Sequence, residues 1–163
     1  MTALAPSAPD RSDTPQRILV VDDQRSIREV FSRTLLFAGF DVVVASGGAE
    51  GLQRLGSDPT ISLVLLDLDM PGVNGRRFRE VQLGHPQLAT IPTVIVTGVA
   101  LDAALRKELQ ATGYAAKPIH KAELIALARK YSRPIGDVRL PMHERVAVIS
   151  RSDGRASLVR RDG

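Results

Sequence analysis

The sequence predicts an α/β domain built on a doubly wound, five-stranded parallel sheet with helices on both faces. Five short segments are apolar throughout instead of alternating, as in strands that are covered on both sides. Between them lie segments whose apolar residues recur at helical spacing. This order of elements is typical of parallel α/β domains, in which ligands bind at the carboxyl ends of the strands.

Each predicted strand is a short run, rich in Val, Ile and Leu, that is bounded by polar or turn-forming residues. The fifth is the shortest and is followed directly by a lysine and a proline. In chain order, the strands are predicted at 17–21 (RILVV), 41–45 (DVVVA), 61–67 (ISLVLLD), 91–98 (IPTVIVTG) and 114–116 (YAA).

The predicted helices separate these strands and follow the last one. In the first helix Ile27 and Phe31 are spaced by one turn, Ser26 or Asp23 is placed to cap its start, and Gly39 to end it. The helices are predicted at 26–40, 49–57, 75–83, 101–112 and 121–132.

Residues outside the domain have a different composition. Residues 1–16 are rich in Pro, Ser, Ala and Asp and show no periodicity, which predicts a disordered leader before the domain at 17–131. A linker is expected over 132–144, followed by a basic tail over 145–163.

The tail carries much of the positive charge of the chain. Residues 133–163 hold seven Arg against four acidic residues, which is +3 of the net charge of +4. The segment "RVAVISRSDGRASLVRR" predicts two short strands around Ser152-Asp153-Gly154. We interpret this C-terminal extension as a β-hairpin or the start of a truncated output domain.

Composition excludes several classes of function. The chain has no cysteine, which excludes disulfides and cysteine-bound metals and fits a reducing compartment. Neither a membrane-spanning apolar stretch nor a signal peptide is present in the sequence, so we expect a cytoplasmic protein without membrane contact. The tail has no recognition-helix pattern and no interleaved aromatic residues, so nucleic acid is not an expected partner.

Polar side chains follow four of the five predicted strands. The carboxyl ends of parallel strands meet at one edge of a sheet, so these side chains are expected to converge although they span nearly 100 residues. They are Asp22 and Asp23 after the first strand, Asp67 and Asp69 at the third, Thr97 in the fourth and Lys117 after the fifth.

Such a group of carboxylates requires a positive partner, and oxygen ligands favour Mg²⁺. Asp22 and Asp23 are expected to hold the metal, Asp23 more directly, and position 69 to supply its backbone carbonyl. Asp67, in the middle of the sheet, is the candidate nucleophile, since a carboxylate can form an aspartyl-phosphate. Lys117 and Thr97 are suited to bind the incoming phosphoryl group.

Four segments in this order resemble the motifs of bacterial response-regulator receiver domains: "ILVVDD", "LVLLDLDMPGVNG", "VIVTG" and "YAAKPI". The resemblance covers about residues 17–131 and implies a flavodoxin-like (CheY-like) sheet with strand order 2-1-3-4-5. It implies that Asp22, Asp23 and Asp67 bind Mg²⁺ and that Asp67 accepts a phosphoryl group.

The resemblance also implies partners and a switch. The phosphoryl donor would be a sensor histidine kinase or a histidine phosphotransfer protein, and the output a downstream protein target, with a homodimer as a further candidate. Thr97 would move towards the phosphoryl group and Tyr114 would rotate in after it. The chain is then a signalling domain that promotes its own phosphorylation and dephosphorylation, not an enzyme acting on other substrates.

The sequence departs from the family pattern between Thr97 and Lys117, where it is slightly shorter and Gly113 replaces the usual acidic run. Two alternatives stay open. The segment "LLDLDMPG" also resembles the first motif of haloacid-dehalogenase-type phosphatases, in which the second Asp of a DxD pair is an acid–base, here Asp69. The second alternative is a receiver-like scaffold that binds its partners without phosphorylation.

Overall fold

The computed structural model describes residues 17–132, 147–149 and 155–158. Strands and helices alternate through the first of these ranges, as the hydrophobic pattern predicts. In chain order the elements are β1 (Arg17–Val21), α1 (Arg25–Phe37), β2 (Asp41–Ala45), α2 (Gly48–Ser57), β3 (Ile61–Leu66), α3 (Gly75–Gly84), α4 (Pro86–Ala89), β4 (Thr93–Thr97), α5 (Ala103–Leu109), β5 (Gly113–Ala116), α6 (Lys121–Tyr131), β6 (Ala147–Ile149) and β7 (Arg155–Leu158).

The strands form one sheet in the order β5-β4-β3-β1-β2-β7-β6. The pairs β1–β2, β1–β3, β3–β4 and β4–β5 are all parallel. The predicted five-stranded parallel sheet with strand order 2-1-3-4-5 is therefore confirmed. β1 and β3 lie at its centre, which places the residues that follow them beside each other.

Successive residues of the central strands face opposite sides of the sheet, so their side chains pack in two separate hydrophobic cores. Ile18 and Val20 pack in the first core with residues of α1 and α6, such as Phe31 and Leu124. The second core lies between the other face and the helices α2, α3 and α5, and its members include Leu19, Val21, Leu55, Phe78 and Leu109. The strands are apolar throughout because both of their faces are buried.

Several helix ends differ from the prediction. α1 begins at Arg25 after Gln24, whose side chain makes no capping bond, so neither Ser26 nor Asp23 caps the helix as expected. The backbone N–H of Gln24 instead donates to Asp22 Oδ1 at 2.9 Å. A short helix, α4, was not expected and begins at Pro86, whose fixed φ suits a first helical position.

The C-terminal strands extend the sheet beyond β2. β7 pairs with β2 in antiparallel fashion and β6 pairs with β7 in the same way, so a two-stranded unit is present where the sequence predicts two short strands. The leader predicted at 1–16 and most of the linker predicted at 132–144 lie outside the described residues. No helix in the described part of the chain is both long and apolar enough to cross a membrane.

Candidate functional site

The polar residues singled out in the sequence meet at the carboxyl end of the parallel sheet. Asp22 follows β1, Asp67 follows β3, Thr97 ends β4 and Lys117 follows β5, and these four strands are consecutive neighbours in the sheet. A cleft of about 620 Å³ opens above them, between α1 and the loops after β3, β4 and β5. Among its lining residues are Asp67, Asp69 and Lys117.

Three carboxylates lie close enough together to share a cation. One oxygen each of Asp22, Asp23 and Asp67 lies within 4.8 Å of the others. Asp22 and Asp67 are 2% and 4% exposed, so their charges are poorly solvated, while Asp23 is the most open of the three. Three carboxylate oxygens at this spacing fit Mg²⁺, a hard cation that takes few protein ligands and keeps several water ligands. The residues present therefore suit the metal that the sequence predicts.

Lys117 is the cation nearest to these acids. Its Nζ lies 2.5 Å from Asp22 Oδ2 and 3.4 Å from Asp67 Oδ2, and its side chain is 15% exposed. Its backbone N–H donates to the Thr97 carbonyl, and the peptide bond to Pro118 is cis. The Lys117 ammonium group thus pairs with both Asp22, an expected metal ligand, and Asp67, the candidate nucleophile.

Asp67 is held at the base of the cleft. Its N–H donates to the Val21 carbonyl, and its Oδ1 accepts from the N–H of Leu68 at 2.9 Å. Burial raises the pKa of the Asp67 carboxyl, with a further rise from the charge of Asp22. The Lys117 charge and a hydrogen bond from Thr97 oppose that rise in pKa. The other oxygen, Oδ2, is the one that pairs with Lys117.

Asp69 has a different setting from the other acids. Its side chain is exposed and lines the cleft, outside the cluster of three carboxylates. Its own loop, which joins β3 to α3, is closed by a hydrogen bond from the Gly75 N–H to the Leu68 carbonyl at 3.1 Å. A second bond, from the Gly48 N–H to the Val73 carbonyl, ties this loop to the start of α2.

Both glycines approach the loop more closely than another residue could, and sequence reasoning missed them. A Cβ at Gly75 would lie 2.4 Å from the Asp67 carbonyl oxygen, and one at Gly48 would lie 2.2 Å from that of Val73. Real Cβ atoms do not come within 3.0 Å of other atoms in this way. The sequence offers a signal for both, because each glycine occupies the first position of a helix.

The two residues expected to act as a switch lie on the neighbouring strands β4 and β5, two register positions apart, since Thr97 pairs with Ala116 and Tyr114 with Ile95. Thr97 is 2% exposed, and its Oγ1 accepts from the N–H of Val99. Tyr114 turns towards α5: its hydroxyl donates to the Arg106 carbonyl at 2.9 Å, and the Arg106 guanidinium lies 4.6 Å from the ring centroid. The tyrosine is therefore bonded to the helix next to the cleft.

Comparison with known proteins identifies relatives of this arrangement. The family model described as the response regulator receiver domain matches residues 18–129. The transcriptional regulatory protein CpxR of Escherichia coli K12 is 36% identical over 120 residues, covering 72% of this chain and 49% of that protein. The DNA-binding response regulator MtrA of Mycolicibacterium smegmatis is 35% identical over 143 residues, covering 79% and 61%. The chain spans about half the length of most of the curated relatives it matches.

Solved structures share the fold. The chemotaxis protein CheY4 of Vibrio cholerae superposes with a TM-score of 0.66 at 27% identity, covering 71% of this chain and 98% of that one. The response regulator TrrA of Thermotoga maritima, solved in complex with Mg²⁺-BeF, gives a TM-score of 0.64 at 28% identity, covering 71% and 98%.

Proposed function

The chain belongs to the family of response regulator receiver domains, and from this premise we propose that Asp67 accepts a phosphoryl group in a Mg²⁺-dependent reaction. The observation that carries the proposal is the setting of Asp67, which is buried at the base of an open cleft beside two further carboxylates and Lys117. The donor we propose is a phosphohistidine of a sensor histidine kinase or of a histidine phosphotransfer protein.

In the proposed reaction an oxygen of Asp67 attacks phosphorus as the phosphorus–nitrogen bond of phosphohistidine breaks. The electron pair of that bond stays on the histidine nitrogen, which then takes a proton. We assign the attack to Oδ2, which lies 3.4 Å from Lys117 Nζ, whereas Oδ1 accepts from the N–H of Leu68. The carboxylate must be ionised, so its raised pKa makes the reaction sensitive to acid.

The other residues bind and neutralise charge. We propose that Asp22, Asp23, Asp67 and the backbone carbonyl of Asp69 hold Mg²⁺. The metal would offset the charges that accumulate on the carboxylates and the phosphoryl oxygens. Lys117 is placed to bind a phosphoryl oxygen, since its Nζ already lies 3.4 Å from Asp67 Oδ2. To do so it would give up part of its pairing with Asp22.

The signal would leave the site through Thr97 and Tyr114. The Thr97 hydroxyl already bonds to the Asp67 carboxyl and accepts from the N–H of Val99, so a shift of this hydroxyl onto a phosphoryl oxygen would be passed to the loop after β4 through Val99. Tyr114 would rotate inward only by losing its bond to the Arg106 carbonyl and its contact with the guanidinium. Phosphorylation would then shift the population of a two-state surface formed by α5, β5 and α6.

The apolar rim of the cleft supports a protein partner. Val30 is 49% exposed and Val99 is 42% exposed, and both line the cleft above Asp67. We propose that the protein that carries the phosphohistidine packs against this rim. We propose a cytoplasmic exchange of this kind and an output through a protein target. CpxR and MtrA are named for transcription and DNA binding, but they are longer than this chain, so we do not extend DNA binding to residues 17–132.

The test is the intact mass of the protein after incubation with MgCl₂ and acetyl phosphate, with Asp67→Asn as the control. We expect one added phosphoryl group that requires both Mg²⁺ and the carboxyl of Asp67. An adduct that persists in the control would refute the assignment of Asp67. Release of phosphate without an adduct would favour a phosphatase or a short-lived acyl phosphate. Hydrolysis of a phosphate monoester such as p-nitrophenyl phosphate, which is expected of the phosphatase alone, would distinguish these. Neither adduct nor release would favour the scaffold.

A further inference from the structure

Arg28, in the first turns of α1, binds the backbone of the acid pair. Its Nη1 donates to the Asp22 carbonyl at 2.7 Å and to the Asp23 carbonyl at 2.9 Å. Within residues 17–132 its guanidinium has no carboxylate partner. A half-buried cation thus uses its donors on two successive carbonyls of the loop that carries the candidate metal ligands.

These two bonds fix the part of the site that has the least other support. The Asp22 carboxylate is held by Lys117 and by the N–H of Gln24. Asp23 is more exposed, and among the described residues the side chain that bonds to it is that of Arg28, which donates to its carbonyl. The two carbonyls belong to the successive peptide planes on either side of the Asp23 Cα. Holding both limits the φ and ψ angles of Asp23, and with them the direction of its side chain.

We propose that Arg28 is a positioning residue that orients the acid pair for Mg²⁺. This inference rests on the proposed metal site and extends it to a residue outside the ligand set. Groups that orient metal ligands by hydrogen bonds commonly change metal affinity about 10- to 100-fold when they are removed. Because the bond to Asp23 is exposed to solvent, we expect a loss of about tenfold, at the lower end of that range.

The sign of the effect separates positioning from charge. Arg28 places a positive charge beside a site for a divalent cation, so its charge alone repels Mg²⁺. If charge were its whole contribution, replacing Arg28 with a neutral residue would make Mg²⁺ bind more tightly. The positioning role predicts the opposite, because the acid pair loses its fixed orientation.

The chain provides a matched control three residues away. Arg25 lies in the first turn of the same helix and bonds to Glu29 on the surface, where its side chain is 70% exposed. Arg25→Met removes the same charge without touching the loop. Arg28→Lys keeps the charge and can serve both carbonyls from one nitrogen, as Nη1 does in the native protein.

The experiment is a titration of the full chain with MgCl₂ at constant ionic strength, in which binding is monitored by amide ¹H–¹⁵N NMR spectra. The spectra show at the same time that each variant is folded. We expect Arg28→Met to bind Mg²⁺ about tenfold more weakly, Arg25→Met to bind it as tightly as the native protein or more tightly, and Arg28→Lys to regain most of the affinity. Binding by Arg28→Met that equals or exceeds that of Arg25→Met would overturn the inference. The comparison measures metal affinity alone, so it is decided even if Asp67 accepts no phosphoryl group.

Discussion

Substituting Gly75 with alanine tests whether the backbone at the start of α3 sets the position of Asp67. The added Cβ would lie 2.4 Å from the Asp67 carbonyl oxygen and 2.7 Å from the Leu68 Cα, and both neighbours are backbone atoms that cannot rotate away. Ordinary contact begins at 3.4 Å, so the loop must move by about 1 Å. A displacement of that size at a reacting group costs about 100-fold in rate. Overpacking also destabilises the fold, by about 1–3 kcal/mol.

The control is Gly84→Ala, at the last residue of the same helix, where an added Cβ meets nothing within 4 Å. The rate at which the mass adduct forms with acetyl phosphate and Mg²⁺ is measured for both variants. The temperature is one at which circular dichroism shows both to be folded. We expect Gly75→Ala to be about 100-fold slower than Gly84→Ala. Equal rates in the two folded variants would refute the reasoning.

Three further outcomes are expected. Gly48→Ala should weaken Mg²⁺ binding in an NMR titration by pushing Val73 and its loop, and Gly56→Ala in open space on the same helix should not; equal affinities would contradict this. The pKa of Asp67 is raised, so the native protein loses stability as the pH rises through that pKa and the carboxyl ionises. Asp67→Asn should therefore melt at a higher temperature than the native protein at pH 7 without Mg²⁺, and the difference should vanish at a pH where the native carboxyl is protonated. Arg79→Met leaves the Leu109 and Gln110 carbonyls without their donor and should lower the free energy of unfolding by about 2–4 kcal/mol in urea, against little change for the exposed Arg77→Met.

The strands and the acids at their ends were predictable from the sequence because both signals are local. A run such as "LVLLD" identifies a buried strand and its polar end together. The order of the strands then places Asp22, Asp67 and Lys117 at one edge without any knowledge of their contacts. What the sequence could not supply is the support of these groups, since the bonds of Arg28 to two carbonyls and the close approach of Gly75 depend on where the helices pack.

The bounds of α5 show how tertiary contacts override a periodic pattern. The apolar spacing predicts a helix over 101–112, but the Asp102 side chain caps its start by accepting from the N–H of Leu105. At the other end the buried guanidinium of Arg79, from α3, takes the carbonyls of Leu109 and Gln110 as acceptors. Gln110 has a positive φ of 45° and ends the helix. Arg79 lies 30 positions before Leu109 in the chain, so the local sequence around α5 cannot predict this end of the helix.

The bond between Lys117 and Asp22 joins residues 95 positions apart. Both ends of the domain contribute to this pocket, so binding of the proposed cation would be coupled to folding of the whole domain. Any ligand that binds only the native state raises its stability by RT ln(1 + [L]/Kd). The melting temperature of this protein would then rise with free Mg²⁺, and the ion in its surroundings would set both the readiness of the domain for signalling and the fraction of the protein that is folded.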